Sequence, residues 1–293
     1  MDRDRLTLLG VPIDSVGREG GTELGPSVLR ENLSPASLRD AGDTRQAIRG
    51  LERDPVNGWL AFPDIVEMTA EVRGRVAEIT AAGEVPLILG GCCTLLPAAL
   101  AGARDSLGAI GLAYFDGHLD LFTGQTSPTG EGADMPVAAT LGLAPPALLE
   151  VLGDTPLVEA DRMALVGARD QEELDLIAPL PAGLGLGRIE YRDALRHADL
   201  THTGQAIADE LSAGGGRFWL HLDVDVLDRD AFPATDYLMP DGLSMPELKA
   251  LFAPVAASPG LIGVNVTCFN PEKDRDKSCG LALADLLEST LIT

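Results

Sequence analysis

The chain has 293 residues, 45% of them hydrophobic, enough for one large packed core. Lys and Arg number 22 against 45 Asp and Glu, a formal charge of −23, which argues against nucleic acid or an anionic membrane as partner, since both call for basic patches. No apolar run reaches the roughly 18 residues of a membrane span, the opening stretch lacks the apolar segment of a signal peptide, and four cysteines, two of them adjacent, suit a reducing cytoplasm better than a disulfide scaffold.

Short apolar runs alternate with longer amphipathic segments along the chain. LTLLGV at 6–11 reads as a strand, with another expected around 45–50. A helix is expected over 63–83, then a strand at 85–91 and a helix at 94–104. Strands at 108–116 and 163–169 follow, then a helix at 172–179, a strand at 184–191 and a helix at 203–213. The last part reads as strand 217–225, helix 245–257, strand 261–269 and helix 280–292. Ser244 is placed to cap the 245–257 helix, with Pro246 in its first turn. Near-continuous apolar strands alternating with helices imply a mostly parallel sheet covered on both faces. The expectation is one α/β domain over 1–293, a three-layer αβα architecture around an eight-stranded sheet, with ligands bound at the carboxyl ends of the strands.

Polar residues gather at those ends. In YFDGHLDLF, Asp116, His118 and Asp120 stand at i, i+2 and i+4, which on an extended chain puts them on one side. In WLHLDVDVLD, His221, Asp223 and Asp225 repeat the same period. Burying several acids together is costly unless cations neutralise them, and divalent ions held by oxygen and imidazole are the natural solution. The carboxylates outnumber the needs of one ion, so two ions sharing carboxylates are expected. In LILGGCCTLL, Cys92 and Cys93 follow two glycines just past a strand. A bridge between adjacent cysteines fits poorly, which leaves packing or metal binding.

The blocks GGCCT, DGHLD, LDVDVLD, PDGLS and NPEKD, together with GVPIDS and GPSVLR near the start, resemble the ureohydrolase (arginase–agmatinase–formiminoglutamase) family over about residues 6–292. The resemblance implies an arginase-like fold and two Mn²⁺ ions per chain. Asp116 and Asp223 would bridge them, Cys93 and Asp120 would complete one ion, and His118 and Asp225 the other. Cys93 stands at the family's first histidine, and a thiolate there makes Zn²⁺ or Co²⁺ acceptable at that position. Cys92 stands at a family aspartate and reads as packing. Asp120 matches the residue that orients the nucleophile and passes a proton to the leaving nitrogen. In TSPTGEGADMP, Ser127 and Thr129 match contacts to an α-carboxylate, and Glu172 in GARDQEE matches a contact to the α-amino group.

The departures bear on substrate. Ala133 stands at the family's proton-shuttle histidine, with Glu131 and Asp134 as the titratable groups nearby and Glu131 taken as the catalytic stand-in. Cys268 stands at the glutamate that pairs with the guanidinium. His221 replaces a Ser or Thr, as a support to the metals or a satisfied core histidine. The Cys-for-His change resembles the branch that hydrolyses Nω-hydroxy-L-arginine to L-ornithine and hydroxyurea in cycloserine-type antibiotic biosynthesis. Arginase, agmatinase or formiminoglutamase activity on another small guanidino or formimino substrate is the alternative, as is a metal-poor binding subunit. Family members are often trimers or hexamers, so the resemblance also admits a homo-oligomer.

Overall fold

The apolar runs of the sequence become the strands of one parallel sheet, in a computed structural model that describes residues 5–15, 17, 20–33, 38–170 and 185–292. The strands are β1 (Leu6–Val11), β2 (Arg39–Asp43), β3 (Val85–Gly90), β4 (Gly111–Phe115), β5 (Met163–Val166), β6 (Arg188–Glu190), β7 (Phe218–Asp223) and β8 (Leu261–Thr267). They lie in the order β2-β1-β3-β8-β7-β4-β5-β6, and every neighbouring pair is parallel. Every residue of β1, β3, β4, β5 and β7 is buried, so helices must cover both faces, as expected of parallel sheets.

The helices are α1 (Gly25–Asn32), α2 (Phe62–Ala81), α3 (Leu96–Leu107), α4 (Pro136–Thr140), α5 (Pro146–Leu152), α6 (Arg192–Leu195), α7 (Leu200–Ser212), α8 (Met245–Ala256) and α9 (Ser278–Leu287). The longer ones pack in pairs, α2 on α3 and α7 on α8, and the short α1 packs on α9. Ser244 caps α8 as the sequence indicates. Its hydroxyl accepts from the Glu247 amide and the Glu247 carboxylate accepts from the Ser244 amide, a capping box with Pro246 in the first turn.

Two expectations change. The eighth strand is not at 45–50 but at Arg39–Asp43, an edge strand beside β1. Its sequence, RDAGD, has no apolar run because one side of an edge strand faces water, and charge there blocks pairing with another chain. The short helices α1, α4 and α5 escape a periodicity search because each spans about one to two turns, but each carries Pro in its first turn. The expected helix at 172–179 lies outside the described residues, as does Glu172.

Candidate active site

Residues from the carboxyl ends of four consecutive strands meet in one cleft. In sheet order these are Cys93 after β3, Cys268 after β8, Asp223 at the end of β7, and Asp116, His118 and Asp120 after β4. The cleft encloses about 180 Å³ and is also lined by Asp225, Thr129, Asp134 and Tyr237. Parallel strands place all their carboxyl ends on one edge, so segments far apart in sequence deliver side chains to one point.

The Asp116–Asp120 group converges differently from the sequence expectation. β4 ends at Phe115, and the five residues after it form a loop instead of an extended strand. The His118 amide donates to Asp116 Oδ1 at 2.7 Å, the Leu119 amide to Asp170 Oδ2 at 2.8 Å, and the Gly117 amide to Asp225 Oδ1 at 2.9 Å. Gly117 has no room for a side chain, because a Cβ there would sit 2.5 Å from the Arg169 guanidinium and 2.9 Å from Asp225. Asp120 adopts φ 50° and Cys268 φ 66°, the left-handed region that non-glycine residues rarely occupy. Both are cleft residues, which fits strain held in place at a functional site.

Asp116, Asp120, Asp223 and Asp225 are 2%, 8%, 1% and 4% exposed. Among the described residues, the basic side chains within 4 Å of these carboxylates are imidazoles: His118 Nδ1 lies 3.0 Å from Asp225 and 3.5 Å from Asp116, and His221 Nε2 lies 3.9 Å from Asp116, while the Arg169 guanidinium donates to the Asp225 carbonyl at 2.5 Å. Burial, and then the charge of neighbouring acids, raises the pKa of Asp120 and Asp223 well above the ordinary aspartate value and pushes that of Asp225 in the same direction. Burial pushes Asp116 the same way, but His118 and His221 together outweigh it and hold this group below the usual range. His118 is raised despite its burial, chiefly by the charge of Asp225. Four buried acids with so little positive charge fit divalent cations well. Asp116, His118 and Asp120 bring ligand atoms within 4.8 Å of one another, as do Asp116, His221 and Asp223.

Side chains behind the cleft set these groups. The Tyr114 hydroxyl donates to Asp120 Oδ2, and the Tyr114 ring stacks on His221 with centroids 4.4 Å apart. Thr267 donates to Asp223 Oδ2 at 3.3 Å. A buried relay fixes the proton of His221. The Trp219 indole N–H can only donate, and it does so to Asn265 Oδ1 at 2.7 Å. The Asn265 NH₂ therefore faces His221 Nδ1, 2.6 Å away, and that nitrogen accepts. The ring proton then sits on Nε2, which has no hydrogen-bond partner and faces Asp116. Of the two roles left open for His221, the structure supports the first: it backs the acid cluster.

The loop 126–136 lies over the cleft. Thr129 lines it and Ser127 stands behind; both hydroxyls donate to Asp134 Oδ2. Burial raises the Asp134 pKa, opposed by hydrogen bonds from Ser127 and Thr129. Glu131 is not part of the lining: its carboxylate accepts from Ser15 and, at 2.7 Å, from Tyr237. The titratable group of this loop that reaches the cleft is thus Asp134, because residues 132–134 form a single tight turn that sends Glu131 and Asp134 in different directions. Cys92, Cys93 and Cys268 bring their sulfurs within 4.8 Å of one another. Proton sharing, with Cys268 and then Cys93, lowers the Cys92 pKa and raises those of the other two thiols. Sequence pattern alone does not single out Tyr114, Asn265, Asp170 or Tyr237. Asp170 alone had a signal, an acid just past a strand's carboxyl end.

A model of the arginase family matches residues 4–293. An arginase from Brevibacillus brevis is 29% identical over 293 residues, covering 97% of this chain and 96% of that protein. An N(omega)-hydroxy-L-arginine amidinohydrolase from Streptomyces lavendulae is 28% identical over 220 residues, covering 75% of this chain and 73% of its own length. The solved structure of the arginase from Bacillus caldovelox superposes with a TM-score of 0.88 at 23% identity, covering 98% of this chain and 97% of that one.

Proposed function

The chain belongs to the arginase family, whose members are metal-dependent amidinohydrolases, and we propose that it hydrolyses Nω-hydroxy-L-arginine to L-ornithine and hydroxyurea. The observation that carries this reading is the pair Ala133 and Cys268 in the cleft wall, which offers neither imidazole nor carboxylate to a fully charged guanidinium. Arginine's guanidinium stays protonated at any ordinary pH, so its binding gains from a nearby carboxylate. A hydroxyguanidine is less basic, because oxygen withdraws electron density, and it depends less on such a counter-ion.

In this reading Asp116, Asp223, Cys93, Asp120, His118 and Asp225 are the residues that would hold two divalent cations. The oxygen-and-imidazole set suits Mn²⁺, and the thiol also accepts Zn²⁺ or Co²⁺. Ions bound there would supply Lewis-acid polarisation and a water made nucleophilic at neutral pH. The protein's own groups do the rest. Asp120 would take the proton released by the nucleophile and pass it to the leaving nitrogen, while Tyr114 fixes which carboxylate oxygen is free. Asp134 stands at the mouth of the cleft as a second proton carrier, in the role assigned from sequence to Glu131. Thr129, backed by Ser127, receives the α-carboxylate, which its hydroxyl can do once Asp134 is protonated and releases it. Glu172, which the resemblance matches to the α-amino contact, would complete the recognition of an α-amino acid. The four unbridged thiols suit a reducing cytoplasm.

Side-by-side steady-state assays of metal-loaded protein test the substrate. We expect kcat/KM for Nω-hydroxy-L-arginine to exceed that for L-arginine at least about tenfold, equivalent to roughly 1.4 kcal/mol in the transition state. Agmatine, lacking the carboxylate, should be poorer than either. The relatives named arginase favour a second reading, plain hydrolysis of L-arginine; equal or better turnover of arginine would assign it.

A further inference from the structure

Three of the four cysteines in 293 residues, drawn from segments far apart in sequence, meet at one point. Cys92 and Cys93 follow β3, and Cys268 follows β8, the strand beside it. The Cys268 amide donates to the Gly91 carbonyl at 2.6 Å, which ties the two strand ends together. Gly91 also lies against the segment after β1, where a Cβ would sit 1.8 Å from the Ile13 carbonyl oxygen. The geometry points to a three-thiolate site for a borderline or soft divalent cation, Zn²⁺ foremost, formed by Cys92, Cys93 and Cys268. It extends the functional reading above, in which Cys93 is the one thiol taken as a metal ligand and Cys268 is part of the substrate wall, and it rests on that reading only in sharing the Cys93 ligand.

Zinc binds thiolate sulfur at about 2.3 Å in a tetrahedron, so its ligand atoms lie about 3.8 Å apart. The Cys92 and Cys93 sulfurs are 4.0 Å apart, and all three pairs are within 4.8 Å. An inward shift of less than about 1 Å completes three corners. Cys92 lies behind, with its sulfur 3.2 Å from the Thr94 hydroxyl, while Cys93 and Cys268 line the cleft. The fourth corner therefore opens into the cleft, where a water, a substrate atom or the neighbouring Asp223 can fill it. Thiolates select zinc over manganese, so the two halves of the cleft differ in preference, sulfur towards β3 and β8 and oxygen towards β4 and β7.

The test is X-ray absorption on chelator-stripped, full-length protein loaded with one equivalent of Zn²⁺. Three sulfur neighbours at about 2.3 Å per zinc are expected. Cys92→Ser and Cys268→Ser should each lower the count to two, while Cys279→Ser, a thiol outside the group, should leave it at three. The Asp225→Asn variant, altered on the carboxylate side, should also keep three. The same protein loaded with Co²⁺ should show a sulfur-to-cobalt charge-transfer band that weakens by about a third in each of the two serine variants. One sulfur per zinc, lost only in Cys93→Ser, would overturn the three-thiolate site and leave Cys93 as a ligand of the dinuclear reading. No sulfur at all would remove Cys93 from both.

Discussion

The proton on His221 is assigned by a residue that never reaches the cleft. Trp219 turns the Asn265 amide, the amide turns the imidazole, and the Nε2 proton is left facing Asp116. Asn265→Leu would strand the indole N–H and the Nδ1 lone pair in a dry interior. Each orphaned group costs about 1–3 kcal/mol, so urea unfolding should show a loss of at least about 2 kcal/mol, and metal titration a weaker affinity. Unchanged metal affinity would mean that His221 serves packing alone. Tyr114→Phe tests the other support: removing the hydroxyl that donates to Asp120 should weaken metal binding or activity by about 10–100-fold, the usual effect of such outer partners. Cys279 supplies a pH probe away from the cleft. Burial, and then Asp274, pushes its thiol up to about 11. A raised folded value means the folded chain holds this proton more tightly, so the stabilisation is complete below the ordinary thiol value, about 8.5, and is lost as pH rises towards 11. Over that interval Tm should fall less in Cys279→Ala than in the unaltered protein.

At the scale of elements, the site depends on how strand ends are held. The end of β3 lies against the segment after β1 with no spare volume, since a methyl group on Gly91 meets the backbone of Ile13. Gly91→Ala should therefore part these segments, cost about 1–3 kcal/mol as overpacking does, and lower metal content by displacing Cys93. The capping box of α8 offers a contrast. Ser244→Ala removes one cap on a helix remote from Cys93 and should cost about 1 kcal/mol with metal content unchanged. If both variants lose metal equally, the loss follows general stability and not the β3 turn.

For the whole molecule, the acid cluster is a liability until cations occupy it. Ions present at about 100 times their dissociation constant add about 2.7 kcal/mol to a folded state that alone binds them, and for a chain of this size that raises Tm by about 4 °C. Scanning calorimetry of chelated and Mn²⁺-reloaded protein should show this rise, and Asp223→Asn should abolish most of it. Equal transitions with and without metal would sink the metal-centre reading.

What could be read in the sequence is what short stretches encode. Apolar runs such as LILGG and FWLHLD are strands because burial on both faces needs continuous apolar residues, and that pattern is local. Asp116, His118 and Asp120, like Asp223 and Asp225, stand close together in the chain, so their clustering is visible before folding. The strand at 39–43 was hidden, because an edge strand facing water carries no apolar signal, and the eighth strand was expected at 45–50. The remainder depends on which distant segments become neighbours. β8 enters the sheet between β3 and β7, and only that order brings Cys268 to Cys92 and Cys93. The same order sets Asn265 beside His221. One tight turn sends Asp134 into the cleft and Glu131 to Ser15 and Tyr237, although three positions separate them. Residue types and their local period specify which groups can act; strand order and turn geometry, set by packing across the whole chain, decide which of them face one another.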